Sequence, residues 1–464
     1  MKTSNYPYIE GHKFNRKKIT DQNEYLQIAE GVHAYLESIK VTTPDGIYWA
    51  VPGNDKGNGT IYTGSAGVAY FYGELYKITK NPVYLDIIAK AADYLNKNWK
   101  NTISYAVSLM ESYGIYDDTG IEYSYYTGVC GVGEGLIAIY AVTGRNKEKE
   151  SIADIASFVA SRAKSDDAGP YWGSDCSMLF DGGTMLFLYH AAELLEDGEL
   201  KELADKVADR IVSKAERDPR GGYAWESTAH KGTHRIPNFE CGTAGIGYAL
   251  TIAYSNTAKK EYLNAAVEAA KHIKAIAVPQ GKGFLIPWHD NPGEEPIFYV
   301  ANCHGPSGTS KLFYRLYELT GKDSYLEDIK SLYYGLRHIN APEQMSPGCW
   351  NTVCVCCGTA GILQFLINLG IIFDGSAFAT EVSQEAVTAA EILSGEQESK
   401  TGGRIGVWPV AYERVRPENV APDFGHGTGS AGIGATLLQM YLFEQHKAGW
   451  YRFIDDPYPT WLNE

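Results

Sequence analysis

Three of the chain's eight cysteines lie within four consecutive positions, in the segment NTVCVCCGTAG that begins at Asn351. They are Cys354, Cys356 and Cys357. A further cysteine, Cys303, stands in the segment NCHGPSG, which also leads into a pair of glycines. A thiolate is a strong nucleophile and a soft metal ligand, and several thiolates in one place repel one another unless a cation holds them. These cysteines are therefore the first candidates for chemistry.

The glycines after these cysteines belong to a repeated motif, G-x-x-G followed by an apolar run with the character of a helix. Seven copies, one of them degenerate, begin at Gly64, Gly128, Phe180, Gly242, Gly305, Gly358 and Gly429. Self-similarity of this kind, at a spacing of about 50 to 70 residues, is the sequence signature of a repeat architecture.

The segments between the copies have a different character. KEYLNAAVEAAKHIKAIA is an example, with apolar residues at i, i+3, i+4 and i+7 and charged residues elsewhere, as on a surface helix. We interpret each unit as an outer amphipathic helix, a loop and an inner helix that is apolar nearly all round. Seven such helical hairpins bury one another most simply in a closed ring. The sequence thus predicts an all-α fold, an α/α toroid whose inner helices begin at one end.

We expect this toroid to be a single domain spanning residues 1–464, with an irregular N-terminal arm at residues 1–21. The pattern implies little sheet inside the ring, although short strands in the Tyr- and Pro-rich loops remain possible. The longest helix-poor stretches lie near 100–127, 277–302 and 396–425, and we interpret them as functional loops on the toroid.

In such a ring the sixth copy follows the fifth, which brings Cys303, Cys356 and Cys357 together at the mouths of two inner helices. Zinc takes cysteine ligands in a tetrahedron at about 2.3 Å. Three protein ligands leave the fourth position open, as in a catalytic site. We therefore predict that these three cysteines bind Zn²⁺ as a cofactor.

Other readings of the cysteines stay open at this point. The thiols could simply pack in the core, as free cysteines often do, and this is the reading we prefer for Cys130, Cys176 and Cys349. A structural zinc site could take Cys354 as a fourth ligand. His304 could be a ligand in place of its neighbour, or it could act beside the metal as an acid or base.

The composition of the chain limits the classes of molecule that it is expected to bind. The formal net charge is −15 and there is no long basic run, which argues against nucleic acid and suits a neutral or basic peptide better. The N-terminus lacks the apolar run of a signal peptide, and no stretch of about 18 uninterrupted apolar residues predicts a membrane span. We expect a cytoplasmic protein, in which cysteines are free, metal-bound or catalytic.

Through the seven glycine copies and their order, nearly the whole chain resembles the lanthionine synthetase C-like (LanC-like) family of cyclases. In that family two successive copies carry the zinc ligands. The resemblance places them in Cys303-His304-Gly305-Pro306-Ser307-Gly308 and in Cys356-Cys357-Gly358-Thr359-Ala360-Gly361. Cys357 stands where most members have histidine, as in some members that use three cysteines. The combined motif is specific, whereas a single G-x-x-G is weak.

The resemblance implies a Michael addition, in which a cysteine thiol of a peptide attacks a dehydroalanine or dehydrobutyrine of the same peptide and forms a thioether ring. Zinc would deprotonate the substrate thiol and hold it, and an acid must protonate the enolate carbon. The expected partner is a peptide or a small thiol. A separate dehydratase would have to supply the dehydrated peptide, since we see no room for a dehydratase domain.

The acid and base residues are where the sequence departs from the family pattern. Cys241 occupies the position at which the family has a histidine, and the family's arginine before the first zinc cysteine is missing. The family's aspartate maps onto Asp175 or Asp181. We take His304, beside the predicted ligands, as the leading catalytic acid or base, with Asp175 and Cys241 as further candidates.

Two histidines ahead of other copies, His234 and His426, are additional acid/base candidates. The missing histidine and arginine also leave a second function open, a non-catalytic LanC-like protein that binds thiols such as glutathione or serves as a scaffold. A third is a glycoside hydrolase on an α/α barrel. Its carboxylate candidates are Glu122, Glu134, Asp175 and Glu240, but no spacing in the sequence fixes a pair.

Overall fold

The structure of the protein is a computed structural model. It describes residues 8–51, 58–112, 119–173, 175–229, 235–291, 293–397, 406–411, 413–447 and 449–460. Within these residues the helices are α1 (Asn23–Ser38), α2 (Ser65–Thr79), α3 (Pro82–Asn98), α4 (Asn101–Ser112), α5 (Val129–Thr143), α6 (Asn146–Ser161), α7 (Asp181–Leu195), α8 (Gly198–Ser213), α9 (Thr243–Thr257), α10 (Lys260–Ala275), α11 (Pro306–Thr320), α12 (Ser324–His338), α13 (Thr359–Ile372), α14 (Ala377–Gly395) and α15 (Ser430–Glu444).

The strands are short and are confined to the connections. They are β1 (Lys40–Thr43), β2 (Gly46–Trp49), β3 (Lys164–Asp166), β4 (Gly169–Tyr171), β5 (Glu216–Arg217), β6 (Tyr223–Ala224), β7 (Val278–Gln280), β8 (Gly283–Leu285), β9 (Phe298–Tyr299), β10 (Cys349–Trp350), β11 (Pro409–Ala411) and β12 (Val420–Pro422). Each pairs with one other strand, and all pairs except β9–β10 are antiparallel. The parallel pair β9–β10 joins the segments that lead into α11 and α13, the two helices that follow the cysteine motifs.

The inner helices begin one residue after the first residue of each motif copy. They are α2, α5, α7, α9, α11, α13 and α15, and each packs against the next, with α15 meeting α2 again. They are apolar on nearly every side, because the ring buries them between the outer helices and its own interior. The predicted α/α toroid is confirmed.

The outer helices carry most of their charged residues on the face away from the ring. They are α1, α3, α6, α8, α10, α12 and α14. Each inner helix packs chiefly against the outer helix that follows it, so the hairpins run inner-then-outer and not outer-then-inner as the sequence suggested. The exception is α1, which precedes all the inner helices. It packs against α15 at the other end of the chain and closes the ring.

Helix α4 corrects one expectation, that the stretch 100–127 is poor in helix. Its buried residues are Thr102, Ala106 and Met110, which recur every four positions and form one apolar stripe. The intervening residues mix serine and tyrosine with isoleucine, valine and leucine, so this stripe does not stand out in the sequence. The stretches 277–302 and 396–425 contain strands and no helix in their described residues.

The second glycine of each motif copy holds the preceding loop against the first turn of the inner helix. At every copy an added Cβ would lie within 2.4 Å of a backbone carbonyl oxygen five or six residues earlier. At Gly361 that oxygen belongs to Val355, at 2.1 Å from the added atom, and a real Cβ does not tolerate such a contact. Glycine therefore fixes the loop that carries Cys356 close to its helix.

After α15, residues 449–460 return through the interior of the ring. The backbone N–H of Tyr451 donates to Glu74 on α2 (3.1 Å), and the hydroxyl of Tyr248 on α9 donates to the carbonyl oxygen of Ile454 (2.6 Å). These contacts reach inner helices on different sides of the ring. Of the helices in the described part of the chain, none has the length and apolar character needed to cross a lipid bilayer.

Candidate metal centre

Three cysteine sulfur atoms converge at the end of the ring where the inner helices begin. The Sγ atom of Cys357 lies 3.3 Å from that of Cys303 and 3.2 Å from that of Cys356. All three sulfur atoms fall within 4.8 Å of one another, and the side chains of Cys303 and Cys356 are buried. The convergence predicted from the motif spacing is found.

Backbone hydrogen bonds between neighbouring motif copies set this geometry. The N–H of Cys303 donates to the carbonyl oxygen of Cys356 (3.1 Å), and the N–H of Cys356 donates to that of Gly427 (2.9 Å). The series continues in both directions round the ring. The N–H of Glu240 donates to the carbonyl oxygen of Cys303 (2.9 Å), and the N–H of Gly427 donates to the carbonyl oxygen of Tyr62 (2.8 Å). Each of these residues stands two positions before the first glycine of its copy. Residues at this position of successive copies are therefore neighbours at the mouth of the ring.

The donor set fits a zinc ion. Sulfur ligands about 2.3 Å from a tetrahedral metal stand about 3.8 Å apart, so small side-chain rotations bring the three sulfur atoms to that spacing. Hydrogen bonds from the thiols of Cys303 and Cys357 lower the pKa of Cys356 well below its usual value. The cluster thus already favours one thiolate. Soft sulfur ligands in tetrahedral arrangement are typical of zinc and iron–sulfur centres.

Cys354 lies beside the cluster without joining it. Its sulfur accepts a hydrogen bond from the backbone N–H of Cys357 (3.4 Å) and contacts the hydroxyl of Thr352 (3.3 Å). It is not part of the group of sulfur atoms within 4.8 Å of one another in the described residues. This arrangement favours a site with three protein sulfur ligands over the four-cysteine alternative.

A narrow cavity inside the ring borders the cluster. Cys356 and His426 contribute to its wall, together with Lys311 of α11 and Asp455 of the C-terminal segment. Burial lowers the pKa of His426 to about 4, so its ring is neutral at physiological pH. Its Nδ1 atom has no hydrogen-bond partner among the described residues. The cysteine cluster can therefore be reached from a space that also holds ionisable groups.

His304, the leading acid/base candidate from the sequence, follows Cys303 directly but packs among aromatic rings. The centre of its ring lies 5.4 Å from that of Tyr299 and 6.3 Å from that of Trp288. Cys356 is among the described residues that line the cavity, and His304 is not. A proton-transfer role for His304 stays a prediction.

Asp175, the second candidate, is buried and accepts hydrogen bonds from its own surroundings. They come from the backbone N–H groups of Ser177 and Thr228, both at 2.7 Å, and from the hydroxyl of Ser227 at 3.0 Å. These bonds tie the loop before α7 to the loop before α9. This geometry describes a carboxylate that positions the loops, and a catalytic role stays a prediction.

Cys241, the third candidate, packs in a small apolar cluster with Phe180, Ile236 and Met110. Burial raises the pKa of its thiol well above the usual value, so it holds its proton. Cys241 lies outside the three-sulfur group. Of the two other histidine candidates, His426 lies in the cavity wall, and His234 lies outside the described residues.

Glu240 is the functional candidate whose place near the sulfur atoms the sequence reasoning missed. The sequence indicates it only as a glycosidase carboxylate, yet its Oε2 atom lies 4.0 Å from the sulfur of Cys356. Burial, followed by the charge at Cys356, raises the pKa of Glu240 well above its usual value. The sequence position of Glu240 could have predicted this proximity, because Glu240, Cys303 and Cys356 all stand two positions before the first glycine of successive copies.

The remaining glycosidase candidates lie apart from this centre. Glu134 is buried on α5, where its carboxylate pairs with the imidazole of His190 at 2.9 Å. Glu122 lies in the short turn of 3-10 helix before α5. The structure therefore groups the sulfur atoms with Glu240 and does not bring these two carboxylates to the same place.

The chain is an α/α toroid with cysteines at the mouths of two neighbouring inner helices. Comparison with known proteins identifies the class of protein that has these features. Residues 55–117, 119–350 and 242–453 match the family profile described as "Lanthionine synthetase C-like protein". These matches cover most of the chain, and the chain belongs to the lanthionine synthetase C-like family. A search of curated proteins finds no significant match.

Comparison with solved structures finds a cyclase and two sugar-cleaving enzymes. Nisin cyclase is 16% identical with a TM-score of 0.57, over 91% of this chain and 95% of that chain. An α-1,6-mannanase from Salegentibacter sp. HEL1_6 is 13% identical with a TM-score of 0.44, over 91% and 99%. Unsaturated glucuronyl hydrolase from Bacillus sp. GL1 is 13% identical with a TM-score of 0.43, over 91% and 96%. At 16% identity the likeness to nisin cyclase concerns the fold alone.

Proposed function

We propose that this chain is a zinc-dependent enzyme that activates a thiol for addition to dehydroalanine or dehydrobutyrine in a peptide and so forms a thioether. The observation that carries the proposal is the convergence of three cysteine sulfur atoms, two of them from buried side chains, beside an internal cavity. Membership of the LanC-like family and the likeness of fold to nisin cyclase support the same reaction class.

Cys303, Cys356 and Cys357 would hold the metal from one side. When bound, zinc supplies the positive charge that lowers the pKa of a substrate thiol and keeps it as a thiolate. Three thiolate ligands give the protein part of the site a charge of −3, so a bound thiolate would be electron-rich. Cys356 borders the cavity, and that side is the one from which a substrate thiol can approach.

Glu240 is the group best placed to return the proton. After the thiolate attacks the β-carbon, the α-carbon of the acceptor must be protonated. Glu240 lies beside Cys356, in a buried site that favours a protonated carboxyl group. We propose that Oε2 of Glu240 delivers this proton, with His304 as the second candidate for the role.

The expected substrate is a peptide that already contains a dehydrated residue, supplied by a separate dehydratase. Tyr62, Tyr126 and Phe453 line the cavity and offer flat aromatic surfaces beside its polar side chains. The net charge of −15 favours a neutral or basic peptide. A small thiol such as glutathione fits the same sulfur cluster, which keeps thiol binding without catalysis as the alternative.

The test is addition of glutathione to a synthetic peptide that contains dehydroalanine, followed as the mass of the adduct. The zinc-loaded protein should accelerate the addition, and Cys356→Ala should lower the rate at least about 100-fold, because a metal contributes several kcal/mol to such a transition state. Cys130→Ala, which removes a buried thiol from another inner helix, should keep the rate.

Two results would count against the proposal. Wild-type protein that binds zinc and glutathione but forms no adduct would favour the thiol-binding alternative. A rate that survives Cys356→Ala would show that the sulfur cluster does not carry the reaction.

A further inference from the structure

Lys311 is a buried cation in the interior of the ring. It lies on the inner helix α11, where none of the other motif copies carries a cation at the same position, and it lines the same cavity as Cys356. Its Nζ atom lies 4.7 Å from the centre of the Phe239 ring and 3.5 Å from a carboxylate oxygen of Asp455. A lysine is rarely buried unless it is paired, so its place calls for an explanation.

The partner of Lys311 comes from the C-terminal segment. Besides Lys311, the carboxylate of Asp455 takes hydrogen bonds from the hydroxyls of Tyr125 (3.3 Å) and Tyr126 (3.0 Å). These three contacts use both oxygens of Asp455 and hold it in one place. Asp455 thereby fixes the lysine ammonium group, which has two further N–H donors that this ion pair does not use.

Among the described residues that line the cavity, Lys311 is the one that carries a positive charge. His426 is the other basic residue there, and burial keeps its imidazole neutral. The cavity also holds Cys356 of the sulfur cluster. A substrate thiolate held at that cluster and a fixed cation facing the same cavity are what an addition to an unsaturated carbonyl compound requires, because negative charge moves to the carbonyl oxygen during attack.

We propose that Lys311 is a catalytic residue of the thiol addition, whose ammonium group binds the carbonyl oxygen of the dehydrated acceptor residue. This inference rests on the proposed function and names the residue that activates the electrophile, which is the dehydrated residue of the peptide. Asp455 is a positioning residue, and the C-terminal segment is part of the active site because it supplies that carboxylate.

The thiolate sulfur forms a bond to the β-carbon, and the carbon–carbon π electrons move toward the acceptor carbonyl. The negative charge that develops on the carbonyl oxygen takes a hydrogen bond from Lys311, which keeps its proton. The α-carbon then gains one proton, which replaces the one lost by the thiol, and no oxidant or further reactant is needed.

The test compares three changes at this pair in the glutathione–dehydroalanine peptide reaction under saturating substrate. Lys311→Met should lower kcat about 100- to 1000-fold, the range seen when one oxyanion donor is removed. Lys311→Arg, which keeps a cation, should recover at least a tenth of the wild-type kcat. Lys274→Met is the matched control, since Lys274 pairs with Asp328 on the outside of the ring at 2.9 Å and should leave kcat unchanged.

Removing one member of a buried ion pair can unfold a protein, so the double change Lys311→Gln with Asp455→Asn accompanies the single ones. It removes the cation without leaving an unpaired charge. The folded double variant should bind zinc and glutathione as the wild type does and still lose at least 100-fold in kcat. Asp455→Asn alone should lower kcat by a smaller factor with KM unchanged, as expected for a residue that acts through Lys311.

The outcomes separate the two proposals. If wild-type protein adds thiol and Lys311→Met does so within 3-fold of its kcat, the assignment of Lys311 is wrong and the proposed function stands. If wild-type protein fails to add thiol, both are overturned. If Lys311→Met loses zinc as well as activity while the double variant keeps both, the ion pair is structural and the inference fails.

Discussion

Asp181 shows how the position of one residue in this ring changes its chemistry. One carboxylate oxygen accepts backbone hydrogen bonds from Trp172 and Gly173, both at 3.0 Å, and the other is buried without a partner in the described structure. Burial raises the pKa of Asp181 to about 7, against an ordinary 3.8. In the folded protein this carboxyl group therefore keeps its proton over a pH range in which the unfolded chain has lost it.

The pH dependence of folding follows from that difference. Between about pH 4 and pH 7 the unfolded state binds fewer protons at this site than the folded state, so the free energy of unfolding should fall as the pH rises. Asp181→Asn keeps the acceptor oxygen but cannot ionise. The loss of stability between pH 4 and pH 8 should be smaller in the variant by up to about 4 kcal/mol. Urea denaturation at the two pH values measures this, and an equal loss in both proteins would refute the assignment.

At the residue scale, the sequence predicted the sulfur cluster better than the groups around it. Cysteines are rare and chemically distinctive, and their register ahead of repeated glycines placed them together. Glu240 stands in the same register but was weighed as one carboxylate among many. Lys311 and Asp455 are about 140 residues apart in the chain, and their pairing depends on the return of the C-terminal segment, which no periodic pattern announces.

At the scale of elements, the motif glycines join each loop to its helix. Periodicity and glycine spacing predicted the inner helices, because both signals reflect local packing. The helix α4 was missed because its buried stripe is narrow and apolar residues also occur at its other positions, which blurs the helical period. The order of packing within hairpins also escaped prediction, since an amphipathic helix can cover either the inner helix before it or the one after it.

Gly361→Ala tests the link between the loop and the metal centre. The added Cβ would meet the carbonyl oxygen of Val355, so the loop that carries Cys356 must move away from α13. The zinc affinity should fall at least about 10-fold, as for other changes that misplace a ligand, while the helix content stays the same. Competition with a chelator measures the affinity, and circular dichroism measures the helix content.

The matched control is Gly198→Ala at the start of α8, where an added Cβ meets no atom within 4 Å. This variant should bind zinc as the wild type does. If Gly361→Ala binds zinc equally tightly, the loop position does not govern the site.

At the scale of the whole molecule, both ends of the chain complete the ring. Helix α1 closes it from outside by packing on α15, and residues 449–460 fill part of its interior. The sequence predicted a closed toroid from the number of units and their buried faces. Which helix performs the closure, and what enters the interior, depend on contacts between the two chain ends, which a sequence repeat does not describe.

Closure is also what brings the chemistry together, because cysteines from two motif copies meet only when neighbouring inner helices share a ring. The most direct test of this account is the zinc content of purified, zinc-saturated and dialysed protein, measured by mass spectrometry of the metal. We predict one zinc per chain in the wild type and in Cys354→Ala, and almost none in Cys356→Ala that is folded by circular dichroism. One zinc per chain in Cys356→Ala, or none in the wild type, would contradict it.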